Sequence, residues 1–282
     1  MNARLAYVPA LLVTVGLFGA GVLLAAVQSL GGLPVEGPPR WSGHAYAVVL
    51  RDPAFWSALG MTAWVAGAGT LLALALGTGA ALAVWSTRAF ALARVLFAWN
   101  LPVPHVVAAW ITALLLSQGG LLSRLAYTAG LTRSPADFPA VVNDPAALGV
   151  LLELAWKEVP FVGVAVLAAL ARLDPRALDV ARSLGAGPAA RVRHVLLPAV
   201  LPAALAAGAL VFAFAMSTFE VPYLLGPTSP TTLPVLAYRA FADPDLTARP
   251  VAMALSVLIA ALGTLAVLSA TWAFARAWRW QA

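Results

Sequence analysis

The chain has 282 residues, of which 62% are hydrophobic and only 10% are charged, and its mean hydropathy is +0.90. A soluble globular protein carries about 25% charged residues, so this composition excludes that class and predicts a polytopic membrane protein. The formal net charge is +6 and the chain has no cysteine, which excludes disulfide bonds and thiolate metal sites.

The first predicted transmembrane span is residues 5–27, directly after Arg4. A helix rises about 1.5 Å per residue, so this run can cross a hydrocarbon core of about 30 Å. A cleaved signal peptide is the alternative, but its apolar region would contain only about 7 to 15 residues. Residues 28–56 are rich in Gly and Pro and include Glu36, so we expect them outside the membrane.

The second predicted span is residues 58–84, and its small residues include Gly67, Gly69, Gly77 and Gly79. Because small residues let helix backbones approach closely in lipid, these glycines predict tight helix packing rather than ligand binding. A short turn with Arg88 and Arg94 follows on the side that we expect to face the cytosol.

The third predicted span, residues 95–116, contains Pro102 and Pro104. Proline removes a backbone donor and clashes with the preceding turn, so we expect a kink at this point. His105 follows the prolines and could line a path through the membrane. A histidine whose hydrogen bonds are satisfied inside the bundle is the favoured interpretation.

The fourth predicted span, residues 147–171, follows a polar outer segment, residues 118–146, and contains Glu153, Lys157 and Glu158. Its uncharged part alone is too short to cross a bilayer. Glu153 and Lys157 have the i,i+4 spacing of an ion pair on one helix face. An interfacial salt bridge and a polar lining of the solute path both remain open for this pair.

The segment at about 172–199 is the most cationic part of the chain and is punctuated by turn residues. Asp174 predicts a helix N-cap, with Pro175 at the first helical position. Gly185 predicts a left-handed helix end, and Gly187 permits a second helical start at once. We therefore expect a helix, a glycine corner and another helix in a cytosolic loop.

Two further spans complete the predicted topology, residues 201–225 and residues 251–274. Residues 226–250 contain several prolines and aspartates and should lie outside the membrane, without another helix through lipid. The C-terminal tail carries Arg276, Arg279, Trp278 and Trp280, which suit the headgroup layer.

The arginines decide the orientation of the six predicted spans. With both termini inside, Asp174 and Asp179 are the acidic residues that oppose the inner arginines Arg4, Arg88, Arg94, Arg172, Arg176, Arg182, Arg191, Arg193, Arg276 and Arg279. The outer arginines are balanced by Glu36, Asp52, Asp137, Asp144, Asp243 and Asp245. The positive-inside rule therefore predicts cytosolic termini, and topology explains the basic charge better than nucleic-acid binding does. The predicted fold class is all-α, as a single transmembrane domain over residues 1–282.

The basic loop resembles the EAA loop of ABC importer permeases, whose pattern is Glu-Ala-Ala, Gly and Ile-x-Leu-Pro. Here the pattern is Asp179-Val180-Ala181, Gly185 after three residues, and Val195-Leu196-Leu197-Pro198 after nine more. The departures are Asp179 for Glu, Val180 for Ala and Val195 for Ile. The flanking residues 156–160 and 219–226 resemble the spermidine/putrescine-type branch of the family.

The resemblance implies a type I importer permease fold in the bacterial inner membrane. It also implies a cytosolic ATPase dimer, a second permease subunit that is homologous or identical, and an external solute-binding protein. The residues that it assigns to ATPase coupling are Asp179, Ala181, Gly185, Val195, Leu197 and Pro198. The sequence has no Walker A loop, no HExxH helix and no histidine cluster with metal-ligand spacing, so we expect neither an enzyme nor a cofactor or metal site.

The candidate translocation path rests on Glu220, with Phe219 and Tyr223 beside it, and on Glu153. A carboxylate with aromatic neighbours suits an organic cation such as a polyamine. The alternative is that Glu220 has only a structural role, either bonded to a neighbouring helix or hydrated at the outer end of the bundle. Within the same family, the alternative is a permease for sugar or glycerophosphate, which shares the loop. The alternatives from other classes of protein are an ATP-independent channel or carrier and an intramembrane enzyme.

Overall fold

The computed structural model describes residues 8–34, 37–85, 87 and 90–278. Within these ranges the regular secondary structure is helical throughout, and the α-helices are α1 (Val8–Leu11), α2 (Phe18–Ser29), α3 (His44–Arg51), α4 (Pro53–Trp85), α5 (Phe90–Asn100), α6 (His105–Leu116), α7 (Leu121–Thr128), α8 (Leu148–Leu170), α9 (Pro175–Ser183), α10 (Pro188–Arg191), α11 (Leu197–Ser217), α12 (Glu220–Leu225), α13 (Leu233–Phe241) and α14 (Arg249–Trp278). Two π-helical segments, Leu12–Leu17 and Val192–Leu196, join α1 to α2 and α10 to α11. The predicted all-α class is confirmed. Arg4, Glu36, Arg88, Arg279 and Trp280 lie outside the described residues.

Helical stretches that are long and apolar enough to cross a membrane number 4 among the described residues: Pro53–Trp85, His105–Thr128, Pro188–Ser217 and Leu246–Ser269. They overlap the second, third, fifth and sixth predicted spans. The first predicted span is described from residue 8 onward, and its apolar helix there is the shorter Val15–Ser29. The fourth coincides with α8, which has 23 residues but carries Glu153, Lys157 and Glu158.

The third predicted span is broken rather than kinked. Helix α5 ends at Asn100 and α6 begins at His105, with Leu101, Pro102, Val103 and Pro104 between them. Each of the two prolines lacks a backbone donor and disfavours the helical conformation of the residue before it, so two prolines in alternate positions stop the helix.

The fifth predicted span is also divided. Helix α11 ends at Ser217, Thr218 is extended with φ −66° and ψ 133°, and α12 starts at Glu220. The ring of Pro222 would clash with the carbonyl group of Thr218 four residues earlier in a continuous helix. The segment that follows contains α13, whose 9 residues are too few to cross a bilayer.

The chain forms two compact units, one made of Met1–Met61 with Pro230–Gly263 and the other of Thr62–Ser229 with Thr264–Ala282. The core of the first unit joins α3, the start of α4, α13 and α14 through buried Val49, Phe55, Leu233 and Leu255. The core of the second unit joins α4, α8, α9 and α11 through Ala73, Val166, Leu178, Val200 and Val211.

Two of the glycines in α4 pack against α8 as the sequence predicts. A Cβ atom added at Gly69 would lie 2.9 Å from Cδ1 of Leu154, and one added at Gly77 would lie 2.7 Å from the carbonyl oxygen of Val159. Gly67 and Gly79 have open space around them, so close packing does not explain them. The tight face of α4 therefore holds α8 in place.

Candidate functional site

The basic loop begins with a capped helix. The carboxylate of Asp174 accepts a hydrogen bond of 2.9 Å from the backbone N–H of Arg176, and Pro175 occupies the first turn of α9. This side-chain acceptor satisfies one of the backbone donors that every helix start leaves open. The sequence prediction for the start of α9 is confirmed.

The end of α9 is a Schellman turn at Gly185, whose φ is +80°. Its N–H donates to the carbonyl oxygen of Arg182 at 2.9 Å, and the N–H of Ala186 donates to that of Ala181 at 2.9 Å. This pair of hydrogen bonds needs a left-handed residue at the turn, which glycine adopts without strain. Helix α10 then starts after Gly187 with Pro188 in its first turn, so the predicted helix, glycine corner and helix are confirmed.

Helix α9 is anchored by one face and exposes the other. Leu178 is buried in the same cluster as Leu196, and Val195 packs against that cluster. On the opposite face of the helix, Val180 is 57% exposed, and Leu184, the residue directly after the helix, is 81% exposed. The loop therefore presents apolar side chains to its surroundings from a backbone that is fixed to the bundle.

The other residues assigned to coupling differ in exposure. Asp179 forms an exposed ion pair with Arg182, with 3.0 Å between Oδ1 and Nη1. Ala181 is half-buried, and Leu197 and Pro198 are exposed in the first turn of α11. Leu178, which sequence reasoning did not single out, fixes the loop to the core.

A second constellation is buried where α5 and α6 are separated. The ammonium group of Lys157 donates hydrogen bonds to the carbonyl oxygens of Asn100, at 2.8 Å, and Val103, at 2.7 Å. The side-chain amide of Asn100 donates to the carbonyl oxygen of Trp156 at 2.5 Å. Lys157 thus satisfies carbonyl groups that the helix break leaves open, which is what membrane burial requires.

His105, the first residue of α6, lies between two carboxylates of α8. Its Nδ1 is 3.1 Å from Oε1 of Glu153, and its Nε2 is 3.4 Å from Oε1 of Glu158. The imidazole ring also packs on Phe214 of α11, with 4.3 Å between the ring centroids. Among the residues that the structure describes, the ion-pair partner of Glu153 is His105 and not Lys157, so the predicted i,i+4 pair does not form.

Glu153 is completely buried, and its Oε2 has no hydrogen-bond partner in the described part of the chain. A cavity of about 250 Å³ lies beside the cluster and is lined by His105, Lys157, Glu158, Phe161 and Phe214, together with Leu101, Leu210 and Val211. The arrangement combines acidic, basic and aromatic groups and can hold a small charged group. Over the described ranges, no group of three or more side chains has the arrangement of a metal site.

The predicted path residues Glu220, Phe219 and Tyr223 lie together at the start of α12. The rings of Phe219 and Tyr223 are tilted by 31°, with 5.0 Å between their centroids. Glu220 is half-buried and interacts electrostatically with Glu153. The structure therefore places Glu153 and Glu220 close enough for their charges to interact.

The sequence favours a His105 whose hydrogen bonds are satisfied inside the bundle, and it marks Glu158 only as a charged residue of the fourth predicted span. One feature of the sequence could have indicated that His105 and Glu158 lie together. His105 follows the prolines directly, and the next predicted span carries three ionisable residues. Ionisable groups within a membrane usually pair with one another, so these residues were candidates for a common cluster. The break of α5 and α6 brings them together.

No family model matches the chain. It is 30% identical over 212 residues to the inner membrane ABC transporter permease protein YcjO of Escherichia coli K12, covering 71% of this chain and 69% of YcjO. It is 33% identical over 129 residues to the inner membrane ABC transporter permease protein YdcU of the same strain, and this match spans only 41% of YdcU.

Two further relatives carry the name of a transport system. The permease PotI of the putrescine transport system of E. coli K12 is 28% identical over 211 residues, which cover 74% of this chain and 70% of PotI. The permease PhnU of Salmonella typhi, assigned to a 2-aminoethylphosphonate transport system, is 31% identical over 133 residues, or 47% of this chain and 43% of PhnU. A putrescine permease among the relatives agrees with the branch that the flanking residues resemble.

Solved structures of a bacterial ABC transporter that imports the acidic polysaccharide alginate have the same fold. One superposes with a TM-score of 0.77 and 16% sequence identity, covering 97% of this chain and 93% of the other. A second, in complex with a periplasmic protein bound to an alginate pentasaccharide, gives a TM-score of 0.73 at 16% identity, over 95% of this chain and 90% of the other. At this level of identity the likeness shows the fold alone.

Proposed function

The chain belongs to the ABC transporter permease family, and we propose on this premise that it is the membrane subunit of a binding-protein-dependent importer for a small organic cation. It is a multi-pass protein of the bacterial inner membrane. We propose that it lines the solute path by alternating access, while a separate ATPase supplies the energy.

The proposed topology has six spans with both termini in the cytosol. The long apolar helices support four of the spans, and the first apolar run and α8 would supply the other two. Helix α8 can cross a bilayer because its ionisable residues contact other helices rather than lipid. The arginines Arg172, Arg176, Arg182, Arg191 and Arg193 then lie on the cytosolic side.

The observation that carries the coupling role is the apolar outer face of α9. Val180 and Leu184 are exposed on a helix whose ends are fixed by a cap and a Schellman turn. A rigid amphipathic helix that buries an apolar face in a groove is a common mode of protein recognition. We propose that this face, with Asp179, docks on one subunit of a cytosolic ATPase dimer, and that a second permease subunit, homologous or identical, binds the other.

The substrate proposal rests on charge and on the named relatives. Putrescine and 2-aminoethylphosphonate both carry a primary ammonium group, although their other ends differ in charge. The candidate path offers the carboxylates of Glu153, Glu158 and Glu220 beside aromatic rings, and this suits an ammonium group through ion pairing and cation–π attraction. A sugar or glycerophosphate permease is the second candidate, favoured by the shared fold with the alginate importer.

The test is reconstitution of the chain in liposomes with its ATPase, its partner permease and its solute-binding protein. We expect ATP-dependent uptake of radiolabelled putrescine, and little uptake of an alginate oligosaccharide. ATP-dependent uptake of the oligosaccharide alone would keep the importer and refute the cation. Uptake without ATP, by a chain that does not co-purify with an ATPase, would instead support a channel or carrier.

A further inference from the structure

The imidazole of His105 faces a carboxylate oxygen on each side. A neutral imidazole has one N–H donor, so it can donate to one carboxylate only. An imidazolium donates from both nitrogens and fits both contacts, the hydrogen bond of 3.1 Å to Glu153 and the ion-pair contact of 3.4 Å to Glu158. The geometry therefore suits a cluster that holds one proton on His105.

Counting charges supports this assignment. When both carboxylates are ionised they carry two negative charges and Lys157 carries one positive charge, so a protonated His105 brings the sum over these four groups to zero. Lys157 lies along the cavity, but its hydrogen bonds go to the two carbonyl oxygens of the helix break. Glu220, half-buried at the start of α12, is the other ionisable group that acts on Glu153. Net charge is costly at membrane depth, so the cluster needs one mobile cation to balance the carboxylates.

The cavity lies on the Glu158 side of the cluster. Glu158 lines it, whereas Glu153 does not. Phe161 and Phe214 also line it, and aromatic rings attract ammonium groups through their faces. A volume of about 250 Å³ can take the aminoalkyl end of a small solute.

We propose that Glu158, Phe161 and Phe214 form a binding subsite for one primary ammonium group of the solute, and that protonated His105 occupies Glu158 when the solute is absent. The subsite rests on the proposed function, since it specifies how a cationic solute is held. Glu153 anchors His105 through the shorter contact, while Glu158 exchanges the imidazolium for the solute ammonium. The exchange conserves charge when His105 releases its proton to water as the ammonium group binds.

This exchange makes binding depend on pH. Histidine is the side chain that most commonly changes charge between pH 5 and 8. At low pH the imidazolium competes with the ammonium group for Glu158, and at high pH the competitor is removed. Solute binding should therefore tighten as the pH rises.

The experiment is equilibrium binding of radiolabelled putrescine to the purified complex of the chain with its ATPase and partner permease, without solute-binding protein. We expect the Kd to be several-fold lower at pH 8 than at pH 6, because low pH favours the imidazolium that competes for Glu158. 1-Butylamine should displace the label and its neutral analogue 1-butanol should not. Asp243→Asn removes an exposed carboxylate in the outer segment and should bind like the wild type.

Two variants separate the roles inside the cluster. Glu158→Gln should weaken binding at pH 8 at least tenfold, and His105→Gln should retain binding while the ratio between the two pH values falls to about one. Association with the ATPase shows that each variant is folded. Unchanged binding by Glu158→Gln, or a retained pH ratio in His105→Gln, would overturn the subsite.

The result also separates the subsite from the proposed function. A wild type that does not bind putrescine at either pH overturns the subsite, even where ATP-driven uptake upholds the importer. Binding that follows the predicted pattern supports the subsite, even in a complex that fails to move solute.

Discussion

At the scale of single residues, Lys157 is held by burial and by two hydrogen bonds to the backbone. It is the only lysine of the chain, it is 4% exposed, and its hydrogen bonds close the gap between α5 and α6. A lysine ammonium is a compact charge with three donors, which suits carbonyl oxygens that converge on one point. The broken helix therefore depends on a cation supplied by α8.

We predict that Lys157→Met destabilises the protein by about 3 to 5 kcal/mol, because it leaves two buried carbonyl groups without their donor and removes a positive charge that acts on Glu153 and Glu158. The check is the melting temperature of the purified protein in detergent. The double variant Lys157→Met with Glu153→Gln should recover part of the loss, because it also removes one buried negative charge. A single variant that melts like the wild type would show that water can replace the ammonium group.

Glu220 permits a test of the proposed solute path. We expect Glu220→Gln to insert and to bind the ATPase normally, yet to lower ATP-dependent uptake of putrescine several-fold, because the first carboxylate that meets the cation loses its charge. Uptake by reconstituted complexes measures this. Unchanged uptake would make Glu220 part of the scaffold and leave Glu158 as the main acidic group of the path.

The backbone conformation at Gly185 restricts which amino acids can occupy this position. No atom lies within 4 Å of a Cβ added there, so space for a side chain is available, but φ is +80°. A β-branched residue in this region costs about 1 to 2 kcal/mol, whereas asparagine tolerates it. We predict that Gly185→Val weakens association with the ATPase and abolishes transport, and that Gly185→Asn retains both. Co-purification and uptake are the measurements, and equal behaviour of the two variants would contradict the argument.

At the scale of elements, α9 has one anchored face and one exposed face, and the exposed face is the one that we propose docks on the ATPase. Leu184 is 81% exposed beside Val180, and Leu131, which follows α7, is 80% exposed, which makes it a matched control. We predict that Leu184→Ser reduces co-purification with the ATPase at least tenfold and leaves the melting temperature unchanged, since no core contact is lost. Leu131→Ser should change neither. A loss of stability in Leu184→Ser would instead show that this leucine supports the fold.

Asp179 tests the polar part of the same element. Its ion pair with Arg182 is exposed on both sides and contributes little to stability. We expect Asp179→Lys to insert and fold normally but to lose ATPase association and transport, because it reverses the charge on the docking face. Full transport would remove Asp179 from the docking surface.

The structure of the basic loop could be predicted from the sequence because it depends on residues that are close to one another in the chain. The N-cap of Asp174 and the left-handed Gly185 depend on residues within one or two turns, and these capping rules are specific. The exposure of Val180 and the burial of Leu178 required the rest of the bundle. Both are apolar, and helical spacing alone does not say which apolar residue faces the core.

The buried cluster could not be predicted in the same way, because it depends on contacts between residues that are far apart in the sequence. The sequence places Pro102 and Pro104 at a weak point of a helix, but it does not say that Lys157 fills the resulting gap. Its favourable spacing predicts a pair between Glu153 and Lys157, yet each finds a partner on another element. The helix-break carbonyls and His105 compete with the local pair, and the tertiary contacts prevail.

At the scale of the whole molecule, the roles of the loop and of the cluster require that they lie at different depths. The docking that we propose for α9 requires this helix to lie in the cytosol, whereas the proposed solute subsite must lie within the membrane. The connection between them is α8, which carries Glu153, Lys157 and Glu158 and then leads through its last turn, at Leu170, into the loop. A displacement of α9 by the ATPase would therefore reach the cluster along one helix that packs against α4 and α11.

This arrangement requires the basic loop and the segment after α12 to lie on opposite sides of the membrane. The chain has no native cysteine, so single cysteines at Ala189 and at Ser229, both exposed, can be labelled without background. We predict that a membrane-impermeant maleimide labels the Ser229→Cys variant in spheroplasts and the Ala189→Cys variant only after permeabilisation, because the arginines around Ala189 hold the loop in the cytosol. Mass spectrometry of the labelled peptide is the readout, and both variants must label after detergent treatment. Labelling of Ala189→Cys in intact spheroplasts would place the loop outside and exclude every role that depends on a cytosolic ATPase.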